Sequence, residues 1–145
     1  MKSGLTGKFF GKLMTEYNNG NVWTIRQLKG VEFGMFVDGV GNIVPEDGFK
    51  FDFASIPPVL RWFYPKAGTG RGGCYGEPSA IHDLLYSYPE KFGVDQKTAD
   101  RIFLLGMEIK KVRPTMRSLF YSAVRVGGKK YFGKPHKLNE LRGTK

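Results

Sequence analysis

The chain is poor in the residues that build cross-linked or metal-stapled scaffolds. Its 145 residues include one cysteine, Cys74, which excludes an intramolecular disulfide and a cysteine-based zinc site. Histidine is almost as scarce, with only His82 and His136. A metal-dependent phosphohydrolase needs more imidazoles than that, so no metal is assigned, and nothing in the sequence names a cofactor. No apolar run approaches the roughly 20 residues of a membrane span. The first residues, Met1 to Lys8, lack the apolar core of a signal peptide. The expectation is a soluble protein of a reducing compartment. There is no internal repeat, no heptad pattern and no low-complexity segment.

What the chain does have is charge of one sign, aromatics and glycine. The formal net charge is +10, 14% of residues are aromatic, and there are 20 glycines. The charge favours polyanionic partners: nucleic acid, anionic lipid or an acidic protein surface. The length fits one domain with a sizeable core.

The first half patterns as β. Leu5 to Tyr17 reads as a first strand, and Asn18-Asn19-Gly20-Asn21 is a strong turn signal. Val22 to Leu28 continues as its hairpin partner. Val31 to Val37 follows as a further strand. Pro45 places the stretch from Asn42 to Asp47 at an edge or in a loop. In Phe49-Lys50-Phe51-Asp52-Phe53 the period of two puts the phenylalanines on one face and Lys50 and Asp52 on the other. Ser55 before Ile56-Pro57-Pro58 looks like a helix N-cap. Lys66 to Glu77 is a glycine-rich connector without the spacing of a phosphate-binding P-loop.

The second half patterns as α. Pro78 opens a helix to about Tyr88, with Ile81, Leu84, Leu85 and Tyr88 as its buried stripe. Asp95 caps a second helix, whose stripe is Ala99, Ile102, Phe103 and Gly106. Arg113-Pro114 opens a third, with Met116, Leu119, Phe120 and Ala123 packing inward and Gly127-Gly128 ending it. The expected architecture is α+β: an N-terminal antiparallel sheet packed on three or four C-terminal helices, in one domain over residues 1–128. Lys129 to Lys145 carries six Lys/Arg and one Glu and reads as a basic tail. Arg117 and Arg125 on the third helix, with Lys129, Lys130, Lys134 and Lys137 beyond it, form the candidate polyanion-binding set.

Candidate chemistry gathers around Ala80-Ile81-His82-Asp83-Leu84-Leu85-Tyr86. His82 flanks the apolar stripe beside Tyr86, its i+4 neighbour, while Asp83 points nearly opposite. Asp52 at a strand end, Ser55, and Asp100 on the second helix complete a candidate polar cluster of Asp52, Ser55, His82, Asp83 and Asp100. Arg61, Arg101 and Arg125 are candidate partners for Asp83. The cluster admits three readings. It is a divalent-metal site, or an acid–base site with His82 oriented by Asp52 or Asp100 and Ser55 as nucleophile, or a buried hydrogen-bond network that ties the β half to the helical half. The third is the favoured expectation.

Several segments together resemble one family. They are Val44-Pro45, Gly48-Phe49, Asp52-Phe53-Ala54-Ser55-Ile56-Pro57, Ala80 to Tyr86, Ala99-Asp100 with Phe103 and Met107, and Tyr121 with Val124-Arg125 and Gly127. The family is the small phage and prophage group known as domain of unknown function 1353, and the similarity runs from about Leu5 to Gly128. The resemblance implies a bacteriophage or prophage origin and carries no established activity. Asp52, Ser55, His82, Asp83 and Asp100 match its polar signature positions. The expected role is virion-associated or in particle assembly, in the tail or baseplate region, with other phage structural proteins as partners. The expected location is the host cytoplasm, with assembly into the virion. The alternatives are a small hydrolase that uses the His82 cluster and an accessory protein that contacts nucleic acid.

Overall fold

A computed structural model of the chain describes residues 2–18, 22–51 and 73–135. Its strands are β1 (Gly7–Phe10), β2 (Met14–Asn18), β3 (Val22–Arg26), β4 (Gly34–Val37), β5 (Gly41–Ile43) and β6 (Lys50–Phe51). The helices are α1 (Gly73–Ser87), α2 (Pro89–Phe92), α3 (Gln96–Ile109) and α4 (Pro114–Gly127). The architecture is α+β, with all four of these helices C-terminal to the strands.

The β half is two antiparallel sheets of three strands, ordered β1-β4-β5 and β2-β3-β6. One strand from Leu5 to Tyr17 is therefore a correction: the chain leaves the first sheet after Phe10 and enters the second at Met14. Gly11 makes the break, at a φ of 70°. The hairpin of β2 and β3 is present, with Thr15 opposite Ile25 and Asn18 opposite Val22. β5 is an edge strand that ends two residues before Pro45. The period of two holds over Phe49 to Phe51, since Phe49 and Phe51 are buried and Lys50 is half-buried, while Asp52 and Phe53 lie outside the described residues.

The Gln27 side chain ties the two sheets together. The Gln27 amide donates to the carbonyls of Phe33 and Pro45, at 2.9 and 2.8 Å, and its oxygen accepts from the Phe33 N–H at 2.8 Å. Backbone groups between the sheets that lack a ladder partner are satisfied in this way.

The helices close over the sheets. Ile25, Phe33, Met35, Val37, Ile43 and Phe51 meet Ile81, Leu85, Ile102, Phe103, Met107 and Phe120 in one buried core. α1 packs along α3, and α3 packs along α4. Asp95 caps α3 by accepting the Thr98 N–H at 2.8 Å. That bond holds the Asp95 carboxyl below its usual range. The capping contribution is thus present above the unfolded-state pKa and is lost as pH falls through the lowered folded value.

Two helical expectations need correction. α1 begins at Gly73, so Pro78 lies inside the helix and not at its first position. Proline removes one i→i−4 bond there. Its ring is instead packed at the crossing with α3, beside Gly106 and Phe9. On α4 Phe120 and Val124 are buried and Met116 and Ala123 pack half-buried against the core as expected, while Leu119 is exposed. Beyond α4, residues 128–134 turn back onto the end of α1, where the Gly133 N–H donates to the Tyr86 carbonyl at 2.6 Å.

Candidate functional site

The site is a carboxylate at the meeting point of three helices. Asp100, in the second turn of α3, is fully buried. Its Oδ1 lies 2.8 Å from His82 Nε2 and accepts the Tyr86 hydroxyl proton at 2.6 Å. Its Oδ2 accepts from Arg125 at 2.9 Å. His82 and Tyr86 come from α1 and Arg125 from the last turn of α4. The helical period explains the pairing, because residues four apart share a face and both donors on α1 reach the same oxygen.

A second layer holds the first. The Gln96 side-chain amide donates to the Tyr86 hydroxyl at 3.3 Å and lies 3.4 Å from the Val124 carbonyl. Gln96 is four residues before Asp100, one turn back on α3. The Phe132 ring stands edge-on to Tyr86, with centroids 5.3 Å apart. Gly128 comes so close that a Cβ there would sit 2.3 Å from the Tyr86 hydroxyl. The His82 ring lies between Tyr86 and Phe103, with centroids at 4.1 and 4.7 Å.

The electrostatics are set by burial. Burial, and then the Asp100 acceptor, push the Tyr86 phenol far above its ordinary range, so it remains a proton donor to Asp100. Arg125 brings the compensating positive charge for the carboxylate, and its side chain keeps 34% of its surface in solvent. A buried carboxylate with a bidentate set of donors of this kind is satisfied on both oxygens.

Of the sequence-identified candidates, His82 and Asp100 are brought together. Asp83 is half-buried one residue further on and is not among the groups that converge on Asp100. Asp52, Ser55, Arg61 and Lys137 lie outside the described residues, as does Lys66 to Gly72 of the glycine-rich connector. Arg101 donates to the Ser3 carbonyl at 3.0 Å. From the polyanion set, Arg125 is engaged by Asp100, and Arg117 donates to the Val112 carbonyl at 2.8 Å. Lys129, Lys130 and Lys134 are exposed. Gln96 was not singled out in the sequence, although its i−4 relation to Asp100 is a usable signal. Among the described residues no three His, Cys, Asp or Glu side chains group so as to hold a metal ion.

The fold and this cluster define a two-sheet α+β protein whose helices are joined by a buried His–Asp–Tyr–Arg network. Residues 35–124 match the family described as Protein of unknown function (DUF1353), and the chain belongs to that family. His82, Tyr86, Gln96 and Asp100 all fall within the matched span, and Arg125 follows it by one residue. No curated protein and no solved structure matches the chain.

Proposed function

We propose that the chain is a small hydrolase that runs acid–base chemistry at His82, with Asp100 as the group that positions the ring. The supporting observation is the grip on the imidazole. Asp100 already accepts from Tyr86 and Arg125, so toward the ring it is an acceptor, and His82 Nε2 carries the proton. In its uncharged form the ring then bears its lone pair on Nδ1. A fixed ring, a fixed tautomer and an anion behind the far nitrogen are what a general base requires.

With an ester as the probe substrate, the step is hydrolysis. Water attacks the carbonyl carbon and its proton passes to the His82 ring. The tetrahedral intermediate collapses, the carbon–oxygen bond to the alcohol breaks, and the imidazolium returns the proton to the departing alkoxide. One water is consumed and the histidine is regenerated. Asp100 stabilises the imidazolium that forms between the two steps.

His82→Gln tests this. Glutamine can still offer an N–H toward Asp100 but cannot take a proton. Hydrolysis of a short-chain nitrophenyl ester by the variant is expected to fall by at least ~10²-fold with an unchanged circular dichroism spectrum. Equal activity in the folded variant, or none in the wild type, would sink the proposal.

A second reading is favoured by depth, since His82 is 1% and Asp100 0% exposed. In it the network is purely a clasp, and the protein serves bacteriophage particle assembly, the setting that the family resemblance implies. Co-sedimentation with purified particles supports this reading, and absence from particles removes it.

A further inference from the structure

The positive charge is not spread evenly along the chain. Between Glu108 and Glu140 run 31 residues with nine Lys/Arg and no acid. The other 114 residues carry fourteen Lys/Arg against thirteen Asp/Glu. Nearly the whole net charge therefore belongs to α4 and its flanks.

α4 is two-faced. Phe120 and Val124 are sealed in the core, while Val126 is 86% and Leu119 45% exposed. Leu119 and Val126 are seven residues apart and so lie on one line of the helix. Thr115 and Ser122, also exposed, lie along the same side. No charged residue stands on that line. The exposed cations sit at its ends: Lys111 and Arg113 before the helix, and Lys129, Lys130 and Lys134 after it. None of the five forms an ion pair with an acid among the described residues. At 1.5 Å per residue the uncharged strip is roughly 20 Å long.

We infer that this outer face of α4 docks on an anionic lipid bilayer. Headgroup phosphates meet the cations at both ends, and the two aliphatic side chains enter the boundary between headgroups and acyl chains. Charge complementarity selects an anionic surface, and the apolar strip selects lipid over nucleic acid. A phosphate backbone offers no layer for exposed Val126 and Leu119, whereas interfacial helices pair basic and aliphatic residues in this way. Docking of this kind needs no spanning helix, and no helix among the described residues is long and apolar enough to cross a membrane. The inference is independent of the chemistry proposed at His82.

The test is co-sedimentation of the full chain with vesicles of equal parts phosphatidylglycerol and phosphatidylcholine, and with vesicles of phosphatidylcholine alone. The substituted side chains are exposed, so the variants keep the fold. Wild type is expected on the anionic vesicles and not on the neutral ones. Each cation removed, as in Lys129→Gln and Lys130→Gln, is expected to weaken binding roughly five-fold. Leu119→Ser with Val126→Ser is expected to weaken it several-fold at unchanged charge. Equal binding to both vesicle types, or none to either, overturns the inference. So does wild-type binding by the double serine variant, with duplex DNA competing fully, because the face would then read charge alone.

Discussion

Asp100→Ala is expected to destabilise the domain by about 3–5 kcal/mol, the usual cost of breaking a buried ion pair from one side. The residue is fully buried, and three donors lose their acceptor at once. His82 and Tyr86 are both buried, and each buried group left unpaired costs about 1–3 kcal/mol. Arg125 is partly in solvent and can turn outward, which holds the sum below a simple addition. Asp100→Asn separates charge from hydrogen bonding. Its oxygen can still accept from the ring and the phenol, but its amide confronts the Arg125 guanidinium, so an intermediate loss is expected. Urea unfolding reads both: the midpoint falls while the slope is unchanged. A loss below about 1 kcal/mol for Asp100→Ala would show that the helices do not depend on this carboxylate.

Gly11→Ala is expected to cost at least about 3 kcal/mol, and its effect is on the β half. At a φ of 70° any L-residue is strained by about 1–2 kcal/mol. Space adds the rest. A Cβ there would lie 1.9 Å from the Glu32 carbonyl oxygen and 2.8 Å from the Phe33 nitrogen. Both are backbone atoms, so no side chain can swing away, and β1 and β4 would have to part. Gly30→Ala is the control. Gly30 also has positive φ, at 91°, but nothing lies within 4 Å of its would-be Cβ. It is expected to lose only the conformational part. Equal losses at the two positions would mean that close approach at Gly11 does not matter.

These two sites mark what the sequence could and could not tell. The His82–Asp100 contact was legible as one of two options, Asp52 or Asp100, because an imidazole inside an apolar helical run needs a buried partner; the burial of Asp100 beside Ala99 and Phe103 on α3 is what the structure adds. The cap at Asp95 and the alternation at Phe49 and Phe51 were legible for the same reason: local pattern and burial agree. The break at Gly11 was not legible. Apolar residues continue through Phe9, Leu13 and Met14, and the positive φ and the close approach of Glu32, in the segment leading into β4, that call for a glycine there arise only in the folded chain. The start of α1 was misplaced because proline normally marks a first turn, whereas Pro78 is held mid-helix by packing at Gly106 and Phe9. On α4, Leu119 and Val124 both have neighbours at helical spacing, and which one faces inward depends on where α3 lies. Arg125 was legible as a partner for a carboxylate, but Asp83 and Asp100 were not distinguishable until the helices were packed.

The most direct test of the central claim is nitrogen-15 NMR of the His82 ring. With Asp100 gripping one side of the imidazole, the ring proton is expected on Nε2. It should exchange slowly with water and be shifted strongly by Asp100→Asn. A proton on Nδ1 with bare Nε2, or a ring signal indifferent to residue 100, would contradict the account.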